Sequence, residues 1–486
     1  MWGRWWRIGL IDRQIRYLLI ISAAGSLLYG LQVLIDVARP VGGFAQPAVG
    51  LLAPIWPSPL RVTFWAVLCS WLIVAVAHGV GIAWRRKTSD ERMRRDRGTT
   101  IRVITVVVLV LPFTISPAAT IFGHPATLLI CLPSTAFGLW LVRRMQRFRR
   151  MPVALPLGVF AWGALLAYGF GGSMNIWLLD YGPLYALSGG SDLVHAARQV
   201  GTGLYASAGV FEELGKGAGV AVAYLLFRRH FDDVVSGIVL GAAAGLGFNL
   251  AESIEYIAGT PGGGAEVQYW LRQSVGLMAA HTAFTAVLGA GFGVAHQLRD
   301  PRLRPIAIGC GYLCAAGGHF ANDVLLPQIN QLVHATLHPG PTIDVLFAQP
   351  LTLLALQGPL LVIYLLLLRR GLRGQAAMLA TDLSAEAATG HGAVTEPEIP
   401  ILLNPRKRFR LRLAALRRYG PAAYRTLGQL HAAQYDLTAH RQRHTVFPPD
   451  DAAAAQNALC ERIRQLRAQL HTTVTAGQAR PAEALT

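Results

Sequence analysis

Long apolar stretches separated by short polar segments dominate the first three quarters of the chain. An α-helix needs roughly 20 residues to cross a hydrocarbon core about 30 Å thick, and the stretches are of about this length. About ten of them are present, at residues 16–36, 62–84, 101–118, 123–142, 152–172, 201–227, 234–258, 270–297, 305–326 and 350–368. The pattern predicts an all-α protein, a polytopic bundle of transmembrane helices.

Positive charge is distributed unevenly among the connections between these stretches. The formal net charge is +18, and Arg and Lys are concentrated in every second connection, as in 85–97 and 143–150. The connections between them, such as 119–122 and 259–269, contain no Arg or Lys. Because cationic loops remain on the cytoplasmic side, we predict a multi-pass protein of the cell (plasma) membrane with both termini in the cytoplasm. Topology explains the basic charge, so no specific nucleic-acid partner is expected.

The composition changes after the last apolar stretch. Four predicted regions follow from this change: N-terminal spans (1–150), a transmembrane core (151–370), a linker rich in Ala, Thr, Glu and Gly (371–400), and a basic helical tail in the cytoplasm (401–486). Apolar residues alternate with Arg across 406–418, which indicates that the tail binds anionic lipid of the bilayer or a cytoplasmic partner. A solvated helix face is the alternative interpretation.

Ionisable residues are clustered in four consecutive predicted spans. Such a side chain costs roughly 2.5–3.5 kcal/mol in the middle of a transmembrane helix, so a cluster of them indicates a functional site. The candidate site residues are Glu212, Glu213, Lys216, Glu252, His281, His319, Asn322 and Asp323. Helical spacing places the polar residues of each span on one face. This predicts four helices that turn their polar faces toward a common centre in the outer half of the membrane.

Lys216 follows Glu212 by one helical turn. It is the only lysine within a predicted span, and it is expected to be the only buried cation. A compact ammonium group next to Glu212 holds a carboxylate in its ionised form in surroundings of low dielectric constant. The alternative is a structural ion pair that lets the helix enter the membrane.

Glycines recur at intervals of four residues in two of these spans. They are Gly237, Gly241 and Gly245 in one span and Gly289 and Gly293 in the next. Small residues at this spacing allow close contact between helix backbones in a membrane. The glycines therefore predict tight helix packing around the polar cluster.

Two carboxylates and two histidines suit the hydrolysis of a peptide bond, which needs an activated water, a stabilised oxyanion and a proton for the leaving amine. In one version, a zinc ion bound by His281, His319 and either Glu252 or Glu213 activates the water while Glu212 removes its proton. The chain contains no His-Glu-x-x-His motif of the common zinc proteases.

The other version needs no metal ion. Glu212 is again the base, and the side chains of His281, His319 and Asn322 donate hydrogen bonds to the oxyanion. Spacing in the sequence does not decide between the two versions.

The order of these residues resembles the PrsW family of intramembrane proteases. The motifs that carry the resemblance, over residues 200–330, are Glu-Glu-x-x-Lys at 212–216, Phe-x-x-x-Glu at 248–252, His281 in His-Thr-Ala-Phe-Thr, and His-x-x-Asn-Asp at 319–323. PrsW is related to the CAAX prenyl endopeptidases and the Abi proteases, whose last motif ends in Asn. Here Asp323 has that spacing, and Asn322 precedes it.

The resemblance implies an activity and a substrate class. It implies a peptidase site near the extracytoplasmic face that cleaves a membrane-anchored protein similar to an anti-sigma factor. The residues matched to the family motifs are Glu212, Glu213, Lys216, Glu252, His281 and His319.

Two other functions are compatible with a buried cluster of Glu and His. The first is a secondary transporter that uses the cluster as a proton or cation relay, although the early spans contain no inverted repeat of the polar four-helix unit. The second is a membrane sensor or scaffold without catalytic activity. A transporter predicts uptake without a cleavage product, whereas a protease predicts a shortened membrane protein.

Overall fold

The computed structural model describes residues 4–38, 59–87, 91–148, 150–175, 205–389, 392–446 and 452–478. Within these ranges the regular secondary structure is helical, and no β-strand occurs in them. The predicted all-α class is confirmed.

The described N-terminal part of the chain is helical. The helices are α1 (Arg4–Ala38), α2 (Pro59–Lys87), α3 (Glu91–Val110), α4 (Ile115–Gly123), α5 (Pro125–Met145) and α6 (Ala154–Ala161). A 3-10 turn, Leu111–Thr114, joins α3 to α4, and a π-helical turn, Trp162–Ala167, extends α6 to residue 175.

The next helices carry the candidate site residues or pack around them. They are α7 (Glu213–Leu226), α8 (Val234–Gly259), α9 (Gly264–Trp270), α10 (His281–Gln297), α11 (Leu303–Leu337) and α12 (Gln349–Ala388). Two long helices follow in the tail, α13 (Pro405–Val446) and α14 (Ala452–Gln478).

Seven segments of the described chain are long and apolar enough to cross a membrane. They are Gln14–Leu31, Val62–Trp84, Gly98–Gly123, Pro125–Met145, Ala154–Asn175, Val234–Gly259 and Pro341–Ala388. The predicted spans 201–227, 270–297 and 305–326 are not among them, because these carry ionisable site residues and α10 has only 17 residues. Residues 201–204 lie outside the described part. The number and direction of the crossings stay predictions.

Helix α8 lies at the centre of the transmembrane bundle. Every residue from 234 to 251 in α8 is buried, whereas most residues of Val62–Trp84 are half-buried or exposed. Large apolar side chains such as Leu72, Phe122 and Leu313 are exposed on the outer helices. An outer surface of this kind suits contact with lipid, where apolar side chains carry no cost of exposure to water.

Glycines bring α8 and α10 into backbone contact. A Cβ atom at Gly241 would lie 2.1 Å from the carbonyl oxygen of Thr285, and one at Gly245 would lie 2.2 Å from that of His281. Gly237 meets Gly289 in the same way. The predicted close packing is therefore present, and it places His281 directly against the helix that carries Glu252.

The substitution Gly245→Ala should force these two helices apart. The new methyl group meets backbone atoms that cannot rotate away, so we expect a loss of about 1–3 kcal/mol in the free energy of unfolding. Thermal unfolding of the purified chain in detergent measures this loss. Gly259→Ala on the same helix is the matched control, because a Cβ atom there has no neighbour within 4 Å. Equal unfolding temperatures for the two variants would contradict the packing argument.

Packing divides the chain into two compact units. The first unit consists of Met1–Met145 and Met151–Leu368, and the second consists of Gln146–Arg150 and Arg369–Thr486. The segment predicted as a linker, 371–400, is mostly helical, because α12 continues to Ala388. Within the helical part, residues 371–388, six Ala and three Leu favour a helix more strongly than two Gly and one Thr oppose it. The predicted domain boundaries otherwise stay predictions.

The second unit has a small apolar core of its own. Leu437 and Ile463, both fully buried, join α13 to α14 in this core. Within α13 the chain bends at Gly420, whose φ of 82° favours glycine. Burial by itself would raise the pKa of Glu398, but hydrogen bonds from Arg467 and from the Thr395 backbone hold that pKa below its usual range.

Candidate active site

A π-helical turn positions the paired glutamates. The turn covers Ala208–Glu212 and passes directly into α7, which begins at Glu213. Tyr312 on α11 donates a hydrogen bond of 2.9 Å to the carbonyl oxygen of Val210 in this turn. Such turns widen a helix locally and occur frequently at functional sites. Here the turn sets the direction in which the side chains of Glu212 and Glu213 leave the helix.

Lys216 occupies the centre of the cluster and is fully buried. Its Nζ donates to Glu213 Oε1 at 2.8 Å and lies 3.4 Å from Glu212 Oε2. It also lies 3.8 Å from the centre of the Phe248 ring, a cation–π contact that adds to the stabilisation of the ammonium group. The ammonium thus links the two carboxylates of its own helix to α8.

The two glutamates differ in how firmly they are held. Glu213 is fully buried, and its second oxygen, Oε2, accepts a hydrogen bond of 3.0 Å from Thr285 Oγ1. Glu212 keeps a small exposed fraction of its side chain, and its Oε1 accepts from Asn175 Nδ2 at 2.9 Å. Both oxygens of Glu213 therefore have short hydrogen bonds within the protein, whereas Glu212 Oε2 has only longer contacts, 3.4 Å to Lys216 Nζ and 3.8 Å to His319 Nε2.

His281 bridges Lys216 and Glu252. Its Nδ1 lies 3.0 Å from Lys216 Nζ, and its Nε2 lies 2.5 Å from Glu252 Oε2. Because an ammonium group only donates, Nδ1 is the acceptor, and Nε2 carries the proton that Glu252 accepts. Both ring nitrogens of His281 are thus engaged.

His319 has weaker contacts than His281. Its Nε2 lies 3.8 Å from Glu212 Oε2 and 3.5 Å from Asp323 Oδ2. Its Nδ1 lies 3.3 Å from Glu213 Oε1 without an aligned hydrogen bond, and no described residue bonds to it. The ring stacks on Phe284 with centroids 5.3 Å apart. His319 is therefore held in place by packing, while its nitrogens keep capacity for a reacting group.

Asn322 reaches the cluster only through its neighbour. Its Nδ2 donates to Asp323 Oδ1 at 3.0 Å, and its Oδ1 accepts from Gln357 Nε2 at 3.2 Å. The bond to Asp323 uses one of the two N–H groups of this amide, and its predicted hydrogen bond to the oxyanion stays a prediction. Asp323 is the member of this pair that contacts His319.

Arg272 is a second, largely buried cation near the cluster, and the sequence analysis did not include it. Its guanidinium lies 2.9 Å from Glu252 Oε2 and 3.8 Å from the centre of the Tyr256 ring, and less than a quarter of its side chain is exposed. Among the described residues, Lys216 is still the only Lys or Arg that is fully buried, because Arg272 is partly exposed. The signal in the sequence is an arginine near the start of predicted span 270–297. A charge near the end of a span is usually in contact with water, so this position alone does not indicate a site residue.

Asn175 is another contact of the site that the sequence analysis missed. It ends the described part of α6, where its amide holds Glu212 and its Oδ1 accepts from Ser207 Oγ. No spacing relative to the other polar residues points to it, because it comes from a helix that carries none of the motifs.

The comparison with protein families concerns the part of the chain that contains this cluster. Residues 151–355 match the model of the PrsW family intramembrane metalloprotease. The predicted resemblance to PrsW is confirmed. Comparison with curated proteins and with solved structures gave no match.

The PrsW segment, residues 151–355, contains every candidate site residue. The match supports a membrane-embedded peptidase of the intramembrane class. The family description includes a metal ion, and the structure contains a group of side chains of the kind that binds one. These are Glu212, His281 and His319, whose ligand atoms all lie within 4.8 Å of one another.

This group differs from the predicted set of metal ligands. Glu252 was expected next to the two histidines, but it lies beyond His281 and is paired with Arg272. Glu212 takes its place in the group. One carboxylate and two imidazoles are suitable zinc ligands in kind.

The arrangement of Lys216 does not fit a metal ion at this position. The ammonium group already occupies the lone pair of His281 Nδ1 and lies within 3.4 Å of both glutamates. A divalent cation bound to the same acceptors would lie next to a permanent positive charge in a buried site, where like charges repel strongly. Binding would require the lysine to leave.

Proposed function

We propose that this chain is an intramembrane protease in which Glu212 activates a water molecule without a metal ion. The observation that carries the proposal is the meeting of Glu212, Lys216, His281 and His319 from α7, α10 and α11 and the turn before α7. These side chains supply a base, a fixed positive charge and a group able to donate a proton, which are the elements that peptide hydrolysis requires.

Glu212 is the base and Glu213 is a positioning residue. A base needs a carboxylate oxygen that can exchange its partner, and Oε2 of Glu212, 3.4 Å from Lys216 and 3.8 Å from His319, meets this need. Both oxygens of Glu213 hold short hydrogen bonds from Lys216 and Thr285. Glu213 therefore fixes Lys216 instead of taking a proton.

His319 stabilises the oxyanion and returns the proton. Its Nε2 lies on the same side of the cluster as Glu212 Oε2, so both atoms can contact one peptide bond. Asp323 next to Nε2 favours the protonated ring, and Phe284 holds its plane. In this account Glu212 accepts a proton as the water oxygen bonds to the carbonyl carbon, while the N–H of protonated His319 donates a hydrogen bond to the oxyanion. His319 then transfers its proton to the leaving nitrogen as the C–N bond breaks, and the proton on Glu212 returns to His319, 3.8 Å away.

Lys216 and Glu252 keep His281 in one tautomer. Lys216 also supplies a fixed positive charge next to the developing oxyanion, which is worth more in a buried site than in water. Arg272 neutralises Glu252. Three cationic groups, Lys216, Arg272 and protonated His319, thus offset most of the charge of the four carboxylates Glu212, Glu213, Glu252 and Asp323.

Metal independence is a direct prediction of this account. We expect the purified chain to keep its cleavage activity in a strong chelator and to contain zinc well below one ion per chain by elemental analysis. The reason is that Lys216 occupies the ligand positions of His281 and the glutamates. Loss of activity in chelator that returns with added zinc would overturn the metal-free mechanism and leave the peptidase function intact.

The substrate class that we propose is a membrane-anchored protein of the cell membrane, similar to an anti-sigma factor and cleaved near the extracytoplasmic face. This class is tested by sequencing new N-termini in membrane fractions. The fractions come from cells that express the wild-type chain, the Glu212→Gln variant or the Glu266→Gln control. Glu266 is exposed and lies outside the cluster, on α9. We expect a shortened membrane protein with the wild-type chain and the control only. Uptake of an ion or solute without any cleavage product would favour a transporter instead.

A further inference from the structure

A cavity of about 350 Å³ lies inside the transmembrane unit, next to the glutamates. Six helices (α1, α3, α6, α7, α10 and α11) and the turn before α4 contribute to its wall. Apolar side chains that line it include Leu28, Phe113, Leu166, Phe170, Leu288 and Phe292. Among the described residues that line the cavity, Glu213 is the only charged one, and it directly follows Glu212 of the candidate active site in the chain.

The chemistry of the wall selects an apolar occupant. The carboxylate of Glu213 already has hydrogen bonds on both oxygens, from Lys216 and Thr285, so it needs no polar partner from an occupant. Tyr312 directs its hydroxyl to the carbonyl oxygen of Val210. A polar group that entered the cavity would lose its water without gaining hydrogen bonds, which is costly.

The size of the cavity suits a large side chain. An engineered apolar cavity of about 150 Å³ binds benzene, so 350 Å³ accommodates a bulky aromatic or branched side chain together with part of its backbone. Small residues create much of this space, since Gly25, Ala218 and Ala221 all line it. A Cβ atom at Gly25 would have no neighbour closer than 4.0 Å.

We propose that this cavity is the specificity pocket of the protease and binds a bulky apolar side chain of the substrate close to the cleaved bond. This inference rests on the proposed peptidase function. From Glu213 to Ala221 the wall follows α7 for eight residues, a rise of about 12 Å. Because Glu213 lines the cavity and adjoins Glu212 in the chain, we place the side chain that enters it close to the peptide bond that Glu212 and His319 contact.

The test fills the cavity without changing any residue of the cluster. Gly25→Leu places a side chain into the free space at Gly25, and leucine favours the helix more than glycine does. Gly309→Leu on α11 is the matched control, because a Cβ atom there also has no neighbour within 4 Å and Gly309 does not line the cavity. The full-length wild-type chain, both variants and Glu212→Gln are expressed in parallel, and new N-termini of membrane proteins are sequenced.

With the wild-type chain and Gly309→Leu, we expect the sites that depend on Glu212 to share a bulky apolar residue at one fixed position relative to the cut. With Gly25→Leu, cleavage of those sites should fall at least tenfold, and sites with Ala or Gly at that position should be retained or gained. Unchanged preference with Gly25→Leu overturns the pocket while cleavage itself still supports the protease. Absence of any cleavage that depends on Glu212 overturns the proposed function instead.

A lipid chain is the other apolar occupant that the test distinguishes. Native mass spectrometry of the purified chain reports retained lipid. The cavity would be assigned to lipid, and the pocket overturned, by two results together. The first is a lipid that the wild-type chain and Gly309→Leu retain and Gly25→Leu loses. The second is an unchanged cleavage preference of Gly25→Leu.

Discussion

Glu212→Gln should lower the rate of substrate cleavage by about 10²–10⁴-fold, the usual contribution of a general base, while the protein stays folded. Glutamine keeps the shape of the side chain and its hydrogen bond with Asn175, but it does not accept a proton from water. The longer contact with Lys216, 3.4 Å, contributes less to folding than the 2.8 Å bond of Glu213. The rate is measured with the purified chain and the substrate found in membrane fractions.

Glu213→Gln is the internal comparison, and we expect it to lower stability more than Glu212→Gln does. Glu213 is fully buried and holds Lys216, so its loss removes one partner of a buried ion pair, which costs about 3–5 kcal/mol of stability. We therefore expect a lower unfolding temperature for Glu213→Gln than for Glu212→Gln. If Glu213→Gln remained as stable as the wild-type chain and were the more inactive of the two, the roles of the two glutamates would have to be exchanged.

Lys216→Met should destabilise the transmembrane unit more than any other single change in the cluster. The variant leaves Glu212 and Glu213 buried without their cation, and it also removes the donor to His281. Breaking a buried ion pair in this way costs about 3–5 kcal/mol. Thermal unfolding of the purified full chain in detergent measures the effect.

The double variant Lys216→Met/Glu213→Gln separates charge from packing. Removing the buried carboxylate charge with the ammonium should restore part of the lost stability, with a coupling energy of about 0.5–3 kcal/mol between the two positions. The double variant should nevertheless remain inactive, because His281 loses the partner that fixes its tautomer. If Lys216→Met alone unfolded at the temperature of the wild-type chain, Lys216 would not be the centre of the charge network.

The sequence carried enough information to find the helices of the site and most of its residues. Glu212, Lys216, His281 and His319 stand out because ionisable side chains are rare in apolar spans. The spacing of Gly237, Gly241 and Gly245 indicated the close packing that the structure has between α8 and α10. These signals depend on local periodicity, which the order of residues contains directly.

Contacts between distant segments were not predictable in this way. Arg272 pairs with Glu252 through a turn that joins α9 to α10, and Asn175 reaches Glu212 from the end of α6. The π-helical turn before Glu213 rotates the following helix relative to a regular one. Neither the partner of a side chain nor such a turn follows from helical spacing in a single sequence.

For the same reason, the hydrogen-bond partners of Asn322 and Glu252 in the structure were not predicted from the sequence. Asn322 lies on the polar face that spacing predicts. Gln357 of α12, which lies outside the four motifs, donates a hydrogen bond to its Oδ1. Glu252 faces the cluster as expected, but Arg272 and His281 both bind the same oxygen, Oε2. In each case the structure shows a partner that helical spacing did not indicate, and the predicted role of the side chain stays a prediction.

The most direct test of the central claim is cleavage of the identified membrane substrate by the purified full chain in H₂¹⁸O, followed by mass spectrometry of the new C-terminus. We predict one ¹⁸O atom in that carboxylate with the wild-type chain, with or without chelator, and no product with Glu212→Gln. A labelled product formed by Glu212→Gln at the wild-type rate would contradict the assignment of Glu212 as the base that activates water.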